Sequence, residues 1–528
     1  MAVAGYTTDL TTLDDFEGAT TDSEFTGYTA TSKPDDSDTD FPIQGNAHVS
    51  SEQRTAAQGS IAVDNGSNIT WTSGWNFFLW GIFLAPAAVN TDANGGIVMM
   101  VGSSTSAFYK WTVGGNDFGR YPYGGWQNFV CNPEVTNGRT TTGSPGTNYR
   151  WCGMGCDVIS AIAKGSPYGV DVIRYGRGEL RVINGQAGDY GTFADMASTN
   201  DNNSNMWGLF QENSGSYLWK GLLSLGTTTS VDFRDSNRAI FIDNTRRVQP
   251  SFNRIEINHS SSNVEWTAIN ISALGTQSKG EFEVIDNADV SLDTCVFTDM
   301  STFDFLSNTT LTNTTFRRCG LVTQGGATLT GCVFDSSAAT TALSCDDLDL
   351  VTECTFNSDG TGHAVDLGTI SSTQGITWDN TDVGYSSSVD ANKTILVNVT
   401  GSYVLTISIG SNAGSTPTIY NTGTGTAVTS ASVPLSISVV DSDNTPITTA
   451  AVRIEEADGT LVKQGDVNGS GVYSTTFTES TPLSVVIKVR SSSSTETRYI
   501  PVRTSGTIAT TSGLVTTVTL QKDSIASS

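Results

Sequence analysis

Between residues 290 and 378 the chain repeats itself. Segments 290–297 (VSLDTCVF), 309–316 (TTLTNTTF), 327–334 (ATLTGCVF) and 349–356 (DLVTECTF) align, and 371–378 (SSTQGITW) is a weaker fifth copy. Their aromatic residues, Phe297, Phe316, Phe334, Phe356 and Trp378, follow one another at intervals of 19, 18, 22 and 22 residues. A unit this short is one supersecondary piece that cannot bury an apolar face alone, so the copies must stack. A leucine-rich repeat requires L-x-x-L-x-L-x-x-N, which is absent, and nothing helical lies between the copies. The alternation of Cys295 with Phe297, Cys332 with Phe334 and Cys354 with Phe356 puts both side chains of each pair on one strand face. The repeat therefore predicts a right-handed parallel β-helix with equivalent residues one strand spacing apart, about 4.8 Å. In it the rings form one interior column, and Cys295, Thr314, Cys332, Cys354 and Ile376 form a second column of small side chains.

Composition agrees with β structure throughout. Only 15% of residues are charged, and Thr, Ser, Asn and 54 glycines replace the usual helix formers. At 528 residues the chain is too long for one core. Residues 1–240 read as short strands between Gly/Asn/Asp turns, an antiparallel jelly-roll sandwich. The β-helix is assigned to 241–385, a β-rich cap or connector to 386–431, and a second β-sandwich of Ig-like type to 432–528. The fold class is all-β.

The net charge of −26 and the lack of a basic cluster argue against nucleic acid and against anionic membrane. The longest apolar run, 75–89, contains Asn76 and Pro86 and is too short to span a bilayer. Residues 1–10 (MAVAGYTTDL) carry neither a basic nor an apolar signal region, so the sequence reads as a chain made in the cytoplasm whose composition suits an exposed location.

Candidate chemistry is sparse. The three histidines, His48, His259 and His363, lie in separate segments, and no Cys-x2-Cys pair or G-x-S-x-G elbow occurs. Cys131, Cys152 and Cys156 read as a disulfide or buried thiols rather than a metal site. Calcium is the one cofactor with a possible place, in the oxygen-rich segments 35–40 and 466–468. Neither has the twelve-residue loop with a terminal Glu, and solvated acidic turns explain both. Paired carboxylates are the enzymatic alternative: Asp346, Asp347, Asp349 and Glu353 lie together, and Asp366, Asp379 and Asp382 fall on neighbouring coils. Turns in such a fold are commonly Asp or Asn without further role, so no catalytic residue is assigned. Trp75, Tyr121, Tyr123 and Trp126 are candidates for stacking on sugar, against a plain role in the sandwich core.

Val440-Asp441, 445–447 (TPI), 451–454 (AVRI), Asp458-Gly459 and 466–473 (DVNGSGVY) resemble the carboxypeptidase-regulatory, transthyretin-like and bacterial Ig-like modules. That resemblance implies a spacer or adhesion unit. The aromatic strands 71–83 and 108–111, with Gly125-Trp126, resemble the concanavalin and laminin-G jelly rolls of phage structural proteins. Segments 169–176 (GVDVIRYG), 191–193 and 208–210 resemble the passage from jelly roll to β-helix in such proteins. The resemblance implies a virion structural protein: a tail fibre, tail appendage or capsid-surface fibre. Such a protein is commonly homotrimeric, bound to other virion proteins, exposed on the particle and able to attach to host-surface polysaccharide. The alternative it implies is a tailspike depolymerase.

Overall fold

Two residues in each of the first three repeats leave the extended region, and that is what closes those coils. In this computed structural model Thr294, Asn313 and Gly331 have φ of 52°, 50° and 65°, and Asp299, Arg318 and Ser336 have φ of 58°, 48° and 55°. A single left-handed residue turns the chain sharply, at a steric cost for every type but glycine. Each copy is thereby split into two short strands: Asp289–Asp293 and Val296–Thr298, then Thr309–Thr312 and Thr315–Arg317, then Thr328–Thr330 and Val333–Asp335.

The structure describes residues 5–17, 23–26, 35–38, 48–51, 58–83, 96–113, 126–136, 138–157, 168–183, 190–200, 209–213, 215–243, 253–274, 280–478, 482–491, 498–509 and 513–523. They fall into two compact units, Met1–Leu343 and Ser344–Ser528. Among the described residues the regular secondary structure is nearly all β.

The first unit opens with two antiparallel sheets. One runs in the order Trp126–Cys131, Asn76–Phe83, Tyr168–Gly176, His48–Ser51 and Asp35–Asp38, with Thr11–Asp14 also on Tyr168–Gly176. The other runs Arg139–Thr142, Ala107–Val113, Gly96–Ser104, Trp151–Asp157, Gln58–Asp64 and Ser23–Thr26. Alternate residues of both, among them Phe77, Leu79 and Phe129 facing Met99, Val101 and Met154, form one core.

Parallel pairing then takes over, and earlier than the boundary at 241. Glu179–Ile183 pairs parallel with Leu222–Leu225, which leads to Arg254–Ile257, Glu281–Val284, Thr302–Asp304 and Val322–Thr323. On a second face Ser216–Trp219, Asp232–Asp243 and Asn263–Leu274 pair in parallel and lead into the repeat strands. These early coils keep the geometry but not the spelling of the repeat. Their long strands bend at Asn237 and Ala268 (φ 57° and 54°), and their interior residues are Leu223, Ile255, Trp266 and Ile271. One α-helix among the described residues, Phe193–Asn200, lies beside them and was not expected from the sequence. Thr192 Oγ1 accepts the Asp195 amide and donates to the Asp195 carboxylate, which caps the helix. Phe193 packs within 5.0–5.5 Å of Phe210, Phe233 and Trp266.

Inside the repeat, Leu292, Leu311 and Leu329 are in register, and so are Phe297, Phe316 and Phe334. The three phenylalanines are stacked at 5.6 and 5.1 Å with interplanar angles of 21° and 18°. Phe282, Phe303 and Phe305 from the adjoining face pack edge-on or tilted against them. Gly320 has no room for a side chain, since a Cβ there would stand 1.6 Å from the Ser301 carbonyl oxygen.

The second unit continues in the same manner. Val351–Asn357, Gln374–Val383, Val404–Ile409 and the first half of Thr426–Asp441 form one parallel ladder. His363–Ile370, Ile395–Val399 and Ile419–Asn421 form another. The 386–431 stretch, expected as a cap or connector, thus consists of further coils. The fifth copy of the repeat is out of phase: Thr352 faces Asp379 and Thr355 faces Thr381, so Phe356 faces Asp382 rather than Trp378. The offset from the aligned copy is five residues at Thr352 and four at Phe356, and a one-residue bulge at Glu353 (φ 58°) accounts only for the difference. Asn380, not Ile376, serves the bulge: its Oδ1 accepts the Cys354 amide at 2.8 Å and its Nδ2 donates to the Val351 carbonyl at 2.7 Å. Trp378 is still fully buried, its ring 6.0 Å from Phe356 and tilted by 30°.

The strand Thr426–Asp441 belongs to two structures. From Thr426 to Ala431 it pairs with the coil strand Val404–Ile409, and beyond Ser432 it pairs with Val472–Thr478 and Leu514–Leu520. Those three strands pack on a four-stranded sheet, Leu461–Asp466, Ala450–Glu456, Leu483–Ser491 and Val502–Ile508. Leu435, Ile437 and Val439 meet Val452, Ile454, Val485 and Ile487 in its core.

Phe316 is 2% exposed between two stacked rings, so Phe316→Ala should lower unfolding stability by about 3–5 kcal/mol through the cavity it leaves. Chemical denaturation of the two proteins checks this, and a loss under ~1 kcal/mol would mean that the stack does not hold the coils.

Candidate functional site

Polar side chains in this fold either complete the corners of the coils or stand on their outer faces, and the two groups must be told apart before any chemistry is assigned.

The cysteine column belongs to the corners. The left-handed residue in front of each member leaves carbonyl groups of the turn short of donors. Cys295 Sγ lies 3.6 Å from the Trp266 carbonyl, Thr314 Oγ1 3.1 Å from the Leu292 carbonyl, and Cys332 Sγ 3.6 Å from the Leu311 carbonyl. Each reaches the preceding coil. Cys319, outside the expected column, does the same at the second corner, 3.3 Å from the Phe297 carbonyl. Its signal in the sequence is its place directly after Arg318, the second left-handed residue of its copy. All of these thiols are buried, and burial pushes Cys295 and Cys345 up to about 12. Cys131 and Cys152 are free thiols buried in the sandwich, pushed well above the ordinary range by the same cause. The side chain of Cys156 lies outside the described residues.

The expected acids are mostly held by their own turns. Asp347 accepts the Asp349 amide, Asp349 the Thr377 amide at 2.8 Å, and Asp366 the Gly368 amide at 2.8 Å. Asp382 binds the hydroxyl of Thr394. Asp366, Asp379 and Asp382 therefore do not converge. The structure does bring together Glu353 and Asp379, on neighbouring coils, through Asn412, whose Nδ2 donates to both carboxylates at 3.3 and 3.1 Å. The amide nitrogen thus stands between the two carboxylates, where the oxygen of a cleaved glycosidic bond would have to lie.

Asn468 of the 466–468 segment accepts the Ser470 and Val472 amides, the work of an ordinary turn. The side chains of Asp35–Asp38 lie outside the described residues, as do residues 39–40. Among the described residues no group of three or more His, Cys, Asp or Glu is placed to hold a metal ion. His363 Nδ1 is 2.7 Å from the Lys393 carbonyl, and its ring stacks on Tyr420. Trp75 is partly buried against the sandwich core, beside Trp71 and Tyr175. Tyr121 and Tyr123, and the side chain of Trp126, lie outside the described residues.

An ionic network not foreseen from the sequence covers the outer face of the early coils. Arg181, Ser224, Glu256 and Glu283 are in register on successive strands, with Arg254 and Glu281 alongside. Arg254 reaches Glu281, Glu283 and Glu256 at 2.6, 3.0 and 3.4 Å. Glu179, 5% exposed, takes Arg181 at 2.7 Å and the Ser224 hydroxyl at 2.6 Å. Burial pushes the Glu179 carboxyl up, but Arg181 and Ser224 outweigh it and hold the group below the ordinary range. Glu256, 4% exposed, has only longer contacts to Arg177 and Arg254, and burial keeps its carboxyl above that range. The sequence gives one sign of this, the alternation of 254–257 (RIEI) with 281–284 (EFEV), which places opposite charges on neighbouring strands.

No family model matches this chain, and no curated protein matches it. Among solved structures it is distantly similar to the catalytic domain of a GH87 alpha-1,3-glucanase in complex with tetrasaccharides. The identity is 10%, the match covers 81% of this chain and 86% of that one, and the TM-score is 0.18. It is similar also to the Agl-KA catalytic domain, at 11% identity over 81% of this chain and 94% of that one, with a TM-score of 0.17. Similarity at this level carries no statement about substrate or chemistry.

Two outcomes follow. Cys295, Cys319 and Cys332 should resist iodoacetamide in the native chain at pH 8 and react fully in denaturant, because alkylation needs an exposed thiolate; peptide mapping by mass spectrometry reads this. The two glutamates should differ in sign. Glu179, with its lowered pKa, stabilises the fold above the carboxylate range and ceases to do so as pH falls through its folded value. Glu256, with its raised pKa, favours the fold when protonated and loses that contribution as pH rises through its folded value. Glu179→Gln should therefore lower stability at pH 7 by about 1–3 kcal/mol, and Glu256→Gln by clearly less. Equal losses in urea titrations would contradict the assignment.

Proposed function

We propose that this chain is a structural protein of a phage virion, a tail fibre, tail appendage or capsid-surface fibre. In this reading it assembles with other virion proteins and with copies of itself, a trimer being favoured, and it contacts host-surface glycan from the outside of the particle. One observation carries the reading. The coils are built so that their polar groups are consumed by the architecture: thiols and hydroxyls at the corners, Asp and Asn at the turns, and paired Arg and Glu on the face of the early coils. Such coils are a scaffold with a polar outer face, and each unit also carries antiparallel sheets. Its work lies on its exposed surfaces rather than in an enclosed site.

The second reading is a polysaccharide depolymerase, for which Glu353 and Asp379 on adjacent coils are the pair to test. Purified particles should contain the chain in a fixed copy number by quantitative mass spectrometry, and its absence from them would end the virion reading. Incubation of the chain with host capsular polysaccharide should release no new reducing ends. Their release, abolished in Asp379→Asn, would replace the scaffold reading with the enzymatic one.

A further inference from the structure

The four-stranded sheet of the C-terminal sandwich turns one face to its core and the other outward. Val452, Ile454, Val485, Ile487 and Val489 point inward, so the residues between them point away. The register aligns Gln464 with Arg453, Arg453 with Lys488, and Lys488 with Arg503. One straight row thus crosses all four strands at about 4.8 Å per step. Arg490 stands in the next row, between Ala451 and Pro501, and all four cations are exposed. Together they line an open groove of about 760 Å³.

Among the described residues two carboxylates lie on this face. Asp466 is at the edge, and Glu455 is covered by Arg453 and by Lys488 at 2.5 Å. Among the described residues neither Arg490 nor Arg503 has a carboxylate partner. In a chain of net charge −26 this is a local surplus of positive charge, held on strands rather than on loops.

We propose that this groove binds an acidic polysaccharide, a linear polymer bearing carboxylate or sulfate groups, laid across the strands along Arg453, Lys488 and Arg503 with Arg490 at its flank. Three features select that occupant. The guanidinium groups suit carboxylate and sulfate, which they can bind through two parallel N–H donors. Among the described residues the lining holds no aromatic side chain on which nucleic-acid bases could stack. It also lacks the apolar anchor pocket on which protein partners usually depend. The inference deepens the attachment reading above by giving the glycan a chemical class and a place.

The test uses the full chain in calorimetric titrations with alginate oligosaccharides, which carry carboxylates only, and with heparin oligosaccharides, which also carry sulfates. Neutral dextran is the control. Binding to at least one polyanion is expected, weakening as salt rises and absent for dextran; the stronger of the two identifies the acidic group. The double variant Arg490→Glu/Arg503→Glu should lose about tenfold or more in affinity with an unchanged melting temperature, since both side chains are exposed. If charge reversal lowers the melting temperature, Arg490→Gln/Arg503→Gln gives the same comparison. Failure to bind either polyanion, an affinity within twofold of the parent in the variants, or equally tight binding of poly(dT) through the same arginines would overturn the proposal. So would self-association that the same substitutions abolish. A chain that binds polyanion but is missing from particles would remove the virion reading and leave the groove. A chain present in particles that binds neither polyanion would do the reverse.

Discussion

Parallel coils can stack only if each turn of the chain ends where the next begins, and here the left-handed corner residue sets that closure. Thr294, Asn313 and Gly331 occupy the same corner in successive copies, although only glycine takes that conformation without steric cost. The surrounding ladder must supply what threonine and asparagine lack. It does so in two ways: stacked phenylalanines fix the strands on the inner side, and a thiol or hydroxyl one residue further on ties the corner to the coil before it. Each buried phenylalanine contributes about 1.5–3 kcal/mol, and the corner contacts are individually weaker but recur in three successive copies. Corner and column are one device.

This device explains why cysteine and threonine interchange in the column. What the position requires is a small side chain with a hydrogen to donate, and both types have one. The same economy governs the acids. Asp347 and Asp366 satisfy backbone amides in tight turns, Asp349 accepts the Thr377 amide of the next coil, and Asn380 fills the bulge at Glu353 with both ends of its amide. Where the outer face carries many charges, as around Arg254, they are matched across strands. Glu256 is the least well served of them, which is why burial dominates its carboxyl.

The architecture was legible wherever the interior repeats its residue types. Leu292, Cys295 and Phe297 recur at fixed offsets, and from them the parallel ladder could be argued without coordinates. It was not legible where the same geometry is met by different residues. The coil strands around Leu180, Trp219 and Leu223 share no spelling with the later ones, so their stretch was read as part of the sandwich. The fifth copy failed for another reason. Its strand is displaced by four to five residues from the alignment, which the spacing of the aromatic residues does not show, and Trp378 fell out of the column. Charge pairing across strands was hidden too, because Arg254 and Glu281 become neighbours only once the coils are stacked. The cationic row of the last sandwich is hidden in the same way: Arg453, Lys488 and Arg503 come from three strands, and none of them stands in a basic run.

The strand Thr426–Asp441 passes from the last coil into the final sandwich with no hinge between them. Its far half runs parallel to Leu514–Leu520, so tension entering at Thr426 and leaving at Leu520 pulls the two strands lengthwise past each other. Their hydrogen bonds must then yield together rather than unzip one at a time. A strand shared in this way is a mechanical splice, and the module it carries is suited to bearing load along the chain.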